Sequence, residues 1–95
     1  MLLLVGLGNP GKDYSSNRHN IGAMAVDEII QAYGLGATKK RIRPPGLFVD
    51  GLIDHTKVKI LKPLTYMNES GDAVGRTMRY WRLETKNIFV FHDDI

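Results

Sequence analysis

The 95-residue sequence contains no cysteine. That excludes a disulfide framework and any thiolate metal site, and it is compatible with a reducing, cytoplasmic setting. No HExxH motif and no Cys/His ligand spacing is present, so neither a metal nor a cofactor is expected. No Ser or Cys stands where a nucleophile elbow needs it. No apolar run approaches the roughly 20 residues that cross a bilayer, and the opening MLLLVGLG is too short and lacks the basic flank of a signal peptide. No membrane partner is therefore expected. Internal repeats, low-complexity tracts and interdomain linkers are all missing, which leaves at most one small domain. Aromatic residues make up only 8% and do not interleave with the cations, which argues against single-strand stacking. Charge of either sign is in no strong excess. A net +3 and a pI near 9.3 permit a polyanionic partner without requiring one.

What is present concentrates at the amino terminus. The apolar segment Leu2–Leu7 reads as a strand, and Gly8-Asn9-Pro10-Gly11 supplies turn chemistry. The following loop delivers Arg18-His19-Asn20 to a helix, expected from about Ile21 to Tyr33. Its apolar residues Ile21, Ala25, Ile29 and Ala32 fall at helical spacing, with Asn20 as N-cap and Gly34 as stop. After the basic run Lys39-Lys40-Arg41-Ile42-Arg43 come two strands, Leu47–Ile53 and Lys57–Leu61, joined by a tight turn at Asp54-His55-Thr56. In the second of these, Val58 and Ile60 alternate with Lys57 and Lys59. A loop, Lys62 to about Gly71, enters a second helix, roughly Asn68 or Gly71 to Leu83. Its expected core stripe is Val74, Met78 and Trp81, with Arg76, Arg79 and Arg82 along another side. The last strand is Ile88–Phe91.

The order β-α-β-β-α-β predicts an α/β fold. Its sheet is mixed and mainly parallel, with flanking helices and with the antiparallel pair toward one edge. An unbroken apolar run such as Ile88–Phe91 belongs inside a sheet covered on both faces, yet the sequence stops four residues later. The sheet is therefore expected to be truncated before its remaining strands.

Ligands of such sheets bind off the carboxyl ends of the strands. Asn9, His19 and Asp93 follow such ends, and Asn68 begins the second helix, so four polar groups could meet at one rim. The literal Gly6-x-Gly8-x-x-Gly11 pattern does not fit a dinucleotide site, because a long loop rather than a helix N-terminus follows the third glycine. His19 reads either as a loop histidine bonded to backbone or as a general base. A helix N-terminus favours its neutral, proton-accepting form, and a carboxylate on its other nitrogen orients the ring. Asp93 is the natural partner, and Asp94 should face the other way. Asn9 and Asn68 could donate to a carbonyl oxygen or grip substrate, while Asn68 also reads as a helix cap. Base catalysis supplies ~10²–10⁴-fold and a positioned donor about 10²–10³ more, which suits an activated ester better than an amide. The clusters Lys39, Lys40, Arg41, Arg43 and Arg76, Arg79, Arg82 could meet phosphates or form solvated faces.

The segments GLGNPGKDYSSNRHNIG, KPLTYMNESG and FVFHDD, in that order and spacing, closely resemble the bacterial-type peptidyl-tRNA hydrolase (aminoacyl-tRNA hydrolase) family. The resemblance covers this whole chain but only about the first half of the family's domain. Residues 1–95 are then the amino-terminal half of a single domain, and a further glycine-rich loop, the later strands and a lid helix lie beyond Ile95. It implies metal-free hydrolysis of the ester joining a peptide to tRNA by a cytoplasmic monomer, with peptidyl-tRNA and tRNA as partners. His19 matches the family's base, Asp93 its orienting carboxylate, and Asn9 and Asn68 its site asparagines. Tyr14 matches a loop tyrosine near the tRNA end, and Tyr66 the aromatic residue before Met-Asn. Basic surface in the family meets tRNA phosphates. Two other expectations are a non-catalytic RNA-binding member of the same fold and an inactive truncated fragment.

Overall fold

Alternation in the first strand sets the layering. In a computed structural model that describes residues 1–8, 21–42, 45–63 and 70–92, strand β1 (Leu2–Gly6) sends Leu3 and Val5 to one face and Leu2 and Leu4 to the other. Helix α1 (Ile21–Ala32) covers the Leu2/Leu4 face through Val26, Ile29 and Ile30. Helix α2 (Ser70–Trp81) covers the Leu3/Val5 face through Val74 and Trp81. Leu3, Val5, Val26, Ile60 and Leu61 are wholly buried. Each contributes about 1.5–3 kcal/mol relative to an exposed side chain.

The sheet adds β2 (Lys39–Ile42), β3 (Pro45–Ile53), β4 (Thr56–Lys62) and β5 (Ile88–Phe91) in the order β2-β3-β4-β1-β5. β1 runs parallel to both β4 and β5, and β3 runs antiparallel to β2 and β4. The α/β class, the mixed sheet, the antiparallel hairpin and the parallel pairing of first and last strands all match expectation. Asp54 and His55 form the hairpin turn with φ of 49° and 69°, the left-handed pair that a two-residue hairpin needs.

Three differences have physical causes. The run Lys39–Ile42 is a strand, which raises the order to β-α-β-β-β-α-β. Lysine on an exposed edge discourages edge-to-edge association, and that role disguises the strand as a charge run. Lys59 does not face solvent despite its alternation with Val58 and Ile60. The α2 side is covered too, and Lys59 is buried there with its Nζ 4.0 Å from the Trp81 ring centroid and 2.6 Å from Asp50 Oδ1. The buried stripe of α2 centres on Ala73 and Thr77 rather than on Val74, Met78 and Trp81, which are half-buried flanks. Thr77 escapes a hydropathy pattern because it reads as polar, yet its hydroxyl donates to Ala73 O at 2.8 Å and carries no unmet donor into the core.

Both helices stop the same way. Past α1, Leu35 N–H reaches back to Ile30 O (3.0 Å) and Gly34 N–H to Gln31 O (3.3 Å), with Gly34 at φ 60°. Past α2, Leu83 N–H reaches Met78 O (2.9 Å) and Arg82 N–H Arg79 O (3.4 Å), with Arg82 at φ 54°. Each is a Schellman closure whose next residue, Leu35 or Leu83, packs into the core. Arginine holds the left-handed position that glycine fills at the other helix, at a cost of about 1 kcal/mol. Arg82→Gly is expected to raise the melting temperature in a thermal scan; an unchanged or lower value would show that the Arg82 side chain offsets the backbone cost.

Candidate functional site

Each parallel strand ends at the same rim. β4 leads through Lys62 to Pro63, β1 through Leu7 to Gly8, and β5 to His92. Because β4, β1 and β5 are adjacent and parallel, the segments 64–69, 9–20 and 93–95 leave from three neighbouring strand ends. These segments carry all the candidate residues. Asn9, Tyr14, His19, Tyr66, Asn68 and Asp93 lie outside the described residues, so what the structure supplies is the frame that holds their segments.

That frame is tight between β1, β5 and α1. Leu7 N–H donates to Phe91 O at 3.0 Å, and Ala23 N–H, in the first turn of α1, donates to Leu7 O at 3.1 Å. One of the donors that a helix start leaves unpaired is thus met by the strand exit itself. Gly22 makes the approach possible, since a Cβ there would sit 1.9 Å from Phe91 O and 2.7 Å from Leu7 O. Gly6 admits the next turn, where an added Cβ would meet the Val26 side chain at 2.4 Å and Gly22 O at 2.7 Å. Gly6 therefore serves helix–strand contact. Among the described residues the first helix, α1, opens at Ile21, ten residues past Gly11. His19 precedes Gly22 by three positions, and Asp93 follows Phe91 by two.

The rim is electropositive at one point and neutralised at another. The N-terminus of α1 has no acidic residue in its first turn, so its partial positive charge, about half a unit, is not offset from within the helix. Lys62, at the exit of β4, is held by Asp27 of α1 with Nζ–Oδ1 2.8 Å. Among the described residues no group of three or more His, Asp or Glu is placed to hold a metal ion, and no helix is long and apolar enough to cross a membrane. Sequence reasoning found the strand ends and missed Gly22. Its only trace in the sequence is a glycine inside a helix, where it costs stability and so needs a packing reason.

Among the clustered cations Lys39, Lys40, Arg41, Arg76, Arg79 and Arg82, two are already engaged. Arg76 pairs with Asp72 at 3.1 Å one turn away. Arg41 lies over the rings of Tyr80 and Trp81, 5.4 and 5.0 Å from their centroids. Lys39, Lys40, Arg79 and Arg82 are exposed, and Arg43 lies outside the described residues.

A three-layer α/β protein with three adjacent parallel strands ending at one rim is the class that the fold defines. The family model described as Peptidyl-tRNA hydrolase matches residues 3–95. A curated peptidyl-tRNA hydrolase from Parvibaculum lavamentivorans is 48% identical over 95 residues, all of this chain and 45% of that protein. One from Phenylobacterium zucineum is 50% identical over 99 residues, covering all of this chain and 46% of its own length. The crystal structure of peptidyl-tRNA hydrolase from Acinetobacter baumannii superposes with a TM-score of 0.93 at 35% identity, over 99% of this chain and 47% of that one. The chain belongs to the peptidyl-tRNA hydrolase family. It spans about half the length of the relatives it matches.

Proposed function

We propose that this chain carries the base-bearing half of a metal-free site that hydrolyses the ester between a peptide, or an N-blocked amino acid, and tRNA. His19 takes the proton from the attacking water, and Asp93 holds the ring and stabilises the imidazolium that results. The Asn9 and Asn68 amides donate to the ester carbonyl or hold the substrate backbone, Tyr14 serves the tRNA end, and Tyr66 is a further substrate-binding residue. Free tRNA and the released peptide are the products. The reading is of a cytoplasmic monomer with no cofactor. Its tRNA partner lies along exposed cations, among which Lys39, Lys40, Arg79 and Arg82 are better suited than the engaged Arg41 and Arg76.

The observation that carries this reading is the junction of Gly22, Leu7 and Phe91, which ties the segment bearing residue 19 to the strand that ends before residue 93. Residues 1–95 are read as the amino-terminal half of one domain. Phe89 and Val90, on opposite faces of β5, are half exposed, and β5 pairs among the described residues with β1 alone. Both features support a sheet that continues past β5.

The test is release of N-acetyl-amino acid from N-acetyl-aminoacyl-tRNA by the purified chain in EDTA, beside its His19→Ala variant. Turnover that the substitution removes is the expected result. Turnover only in a version extended to the relatives' full length keeps the chemistry and assigns this chain to an incomplete site. Binding of tRNA by both without turnover by either replaces the hydrolase with an RNA-binding protein of the same fold.

A further inference from the structure

The end of the sheet opposite the rim holds a feature that ester hydrolysis does not use. A cavity of about 420 Å³ opens there between the amino end of β1 and the carboxyl end of α2, lined by Met1, Asp50, Leu52, Lys57, Lys59 and Trp81 among others. Its volume lies within the range of small-molecule sites. Its walls combine an aromatic ring, aliphatic residues, two lysines and one carboxylate.

Lys59 is the unusual member. Its side chain is only 7% exposed, and its position on β4 lies beside Leu61 in the layer beneath α2, where an apolar residue would pack without loss of hydration. Burying an ammonium is costly unless it is paired. Here the charge lies 4.0 Å from the Trp81 ring centroid and 5.9 Å from that of Phe48. Among the described residues its hydrogen-bond partner is one carboxylate, Asp50, at 2.6 Å. Asp50 itself is 69% exposed, so it can swing into water and release one side of the ammonium. Lys57, also on the cavity wall, is exposed and has no acidic partner among the described residues. The local balance is two lysines to one aspartate beside an apolar floor.

We propose that this cavity binds a small apolar monocarboxylate, its tail against Trp81, Leu52 and Met1 and its carboxylate shared between Lys59 and Lys57. A neutral ligand of the same shape gains the apolar contact but leaves the second ammonium unmatched. A compact polyanion gains the charge but wastes the aromatic wall. The site is separate from the rim and does not depend on the hydrolytic reading.

Trp81 is the single tryptophan of the chain, so its emission reports the cavity directly. Titration with sodium octanoate below its micelle concentration is expected to give a saturable change in Trp81 fluorescence. Octan-1-ol is expected to bind about tenfold more weakly, the difference a charge-assisted contact makes. Lys59→Met and Lys57→Met, each checked for native circular dichroism, are expected to bring octanoate down to the level of the alcohol. The comparison of acid with alcohol on the unsubstituted chain stands even if Lys59→Met does not fold. No saturable response to octanoate, or equal affinity for octanoate and octanol, would overturn the proposal, as would full affinity in Lys57→Met together with a folded Lys59→Met.

Discussion

Alanine in place of Gly22 will destabilise the fold by about 3 kcal/mol, whereas alanine in place of Gly75 will stabilise it. Both positions are helical glycines, so intrinsic helix propensity favours alanine at each by about 0.5–1 kcal/mol. Surroundings reverse the sign at one of them. A Cβ on Gly22 would lie 1.9 Å from Phe91 O, 2.6 Å from Phe91 C and 2.7 Å from Leu7 O, all backbone atoms. Leu7 and Phe91 are hydrogen-bonded to each other at the end of the β1–β5 pair, and Ala23 is bonded to Leu7. No rotamer change can make room, so either α1 lifts from the sheet or β5 parts from β1. Insertion into a packed interior typically costs about 1–3 kcal/mol, and a clash with backbone belongs at the upper end. At Gly75 the nearest atom to an added Cβ is the tip of Arg79, at 3.4 Å. Differential scanning calorimetry of the two variants should show opposite shifts, each roughly 4–8 °C per kcal/mol for a domain of this size. A Gly22→Ala protein that melts with the parent would show that α1 is not seated on the strand ends, and the frame of the site would go with it.

The parts of this architecture that could be read from sequence are those where one physical signal dominates. Leu2–Gly6 announces itself as a strand because two covered faces demand unbroken apolar residues, and Ile88–Phe91 carries the same apolar pattern although Phe89 and Val90 are half exposed. Helix α1 shows its stripe because only one of its faces is buried, and Gly34 marks its end because a left-handed residue was needed there. Signals in conflict hid the rest. Lys39–Ile42 obeys edge-strand logic, in which charge protects the edge, and so looks like loop. Lys59 alternates as if solvent-facing because cation–π contact and Asp50 offset its burial, energies that a hydropathy pattern does not contain. Thr77 satisfies its hydroxyl inside its own helix and passes for a surface residue. At the rim, the parallel direction of the first and last strands could be anticipated from handedness, and with it the shared side of their carboxyl ends. The closeness of α1 to β5 could not, because it depends on Gly22 meeting a carbonyl sixty-nine residues away in the chain.

Replacing His19 with alanine is expected to lower turnover of N-acetyl-aminoacyl-tRNA by ~10²–10⁴-fold, the usual contribution of a positioned base, while tRNA affinity stays within about twofold, since phosphate contacts supply most of it. Asp93→Asn should follow in the same direction, because an amide neither stabilises the imidazolium nor fixes the tautomer as a carboxylate does. If the two side chains work as one unit, the double variant will be no slower than His19→Ala alone; independent roles would instead multiply the losses. The inference rests on where their segments are anchored. His19 sits three residues before Gly22, Gly22 abuts Phe91 O, and Asp93 sits two residues beyond Phe91. This gives the experiment a built-in check through the frame. Gly22→Ala should reduce turnover with His19 and Asp93 both intact, and at temperatures where that variant remains folded the loss should fall on kcat more than on KM, because the segment that positions the base has moved while the cations of β2 have not. A His19→Ala chain that keeps full turnover would remove the base from the mechanism. A Gly22→Ala chain that is folded, fully active and unchanged in kcat would separate the junction of α1, β1 and β5 from the chemistry.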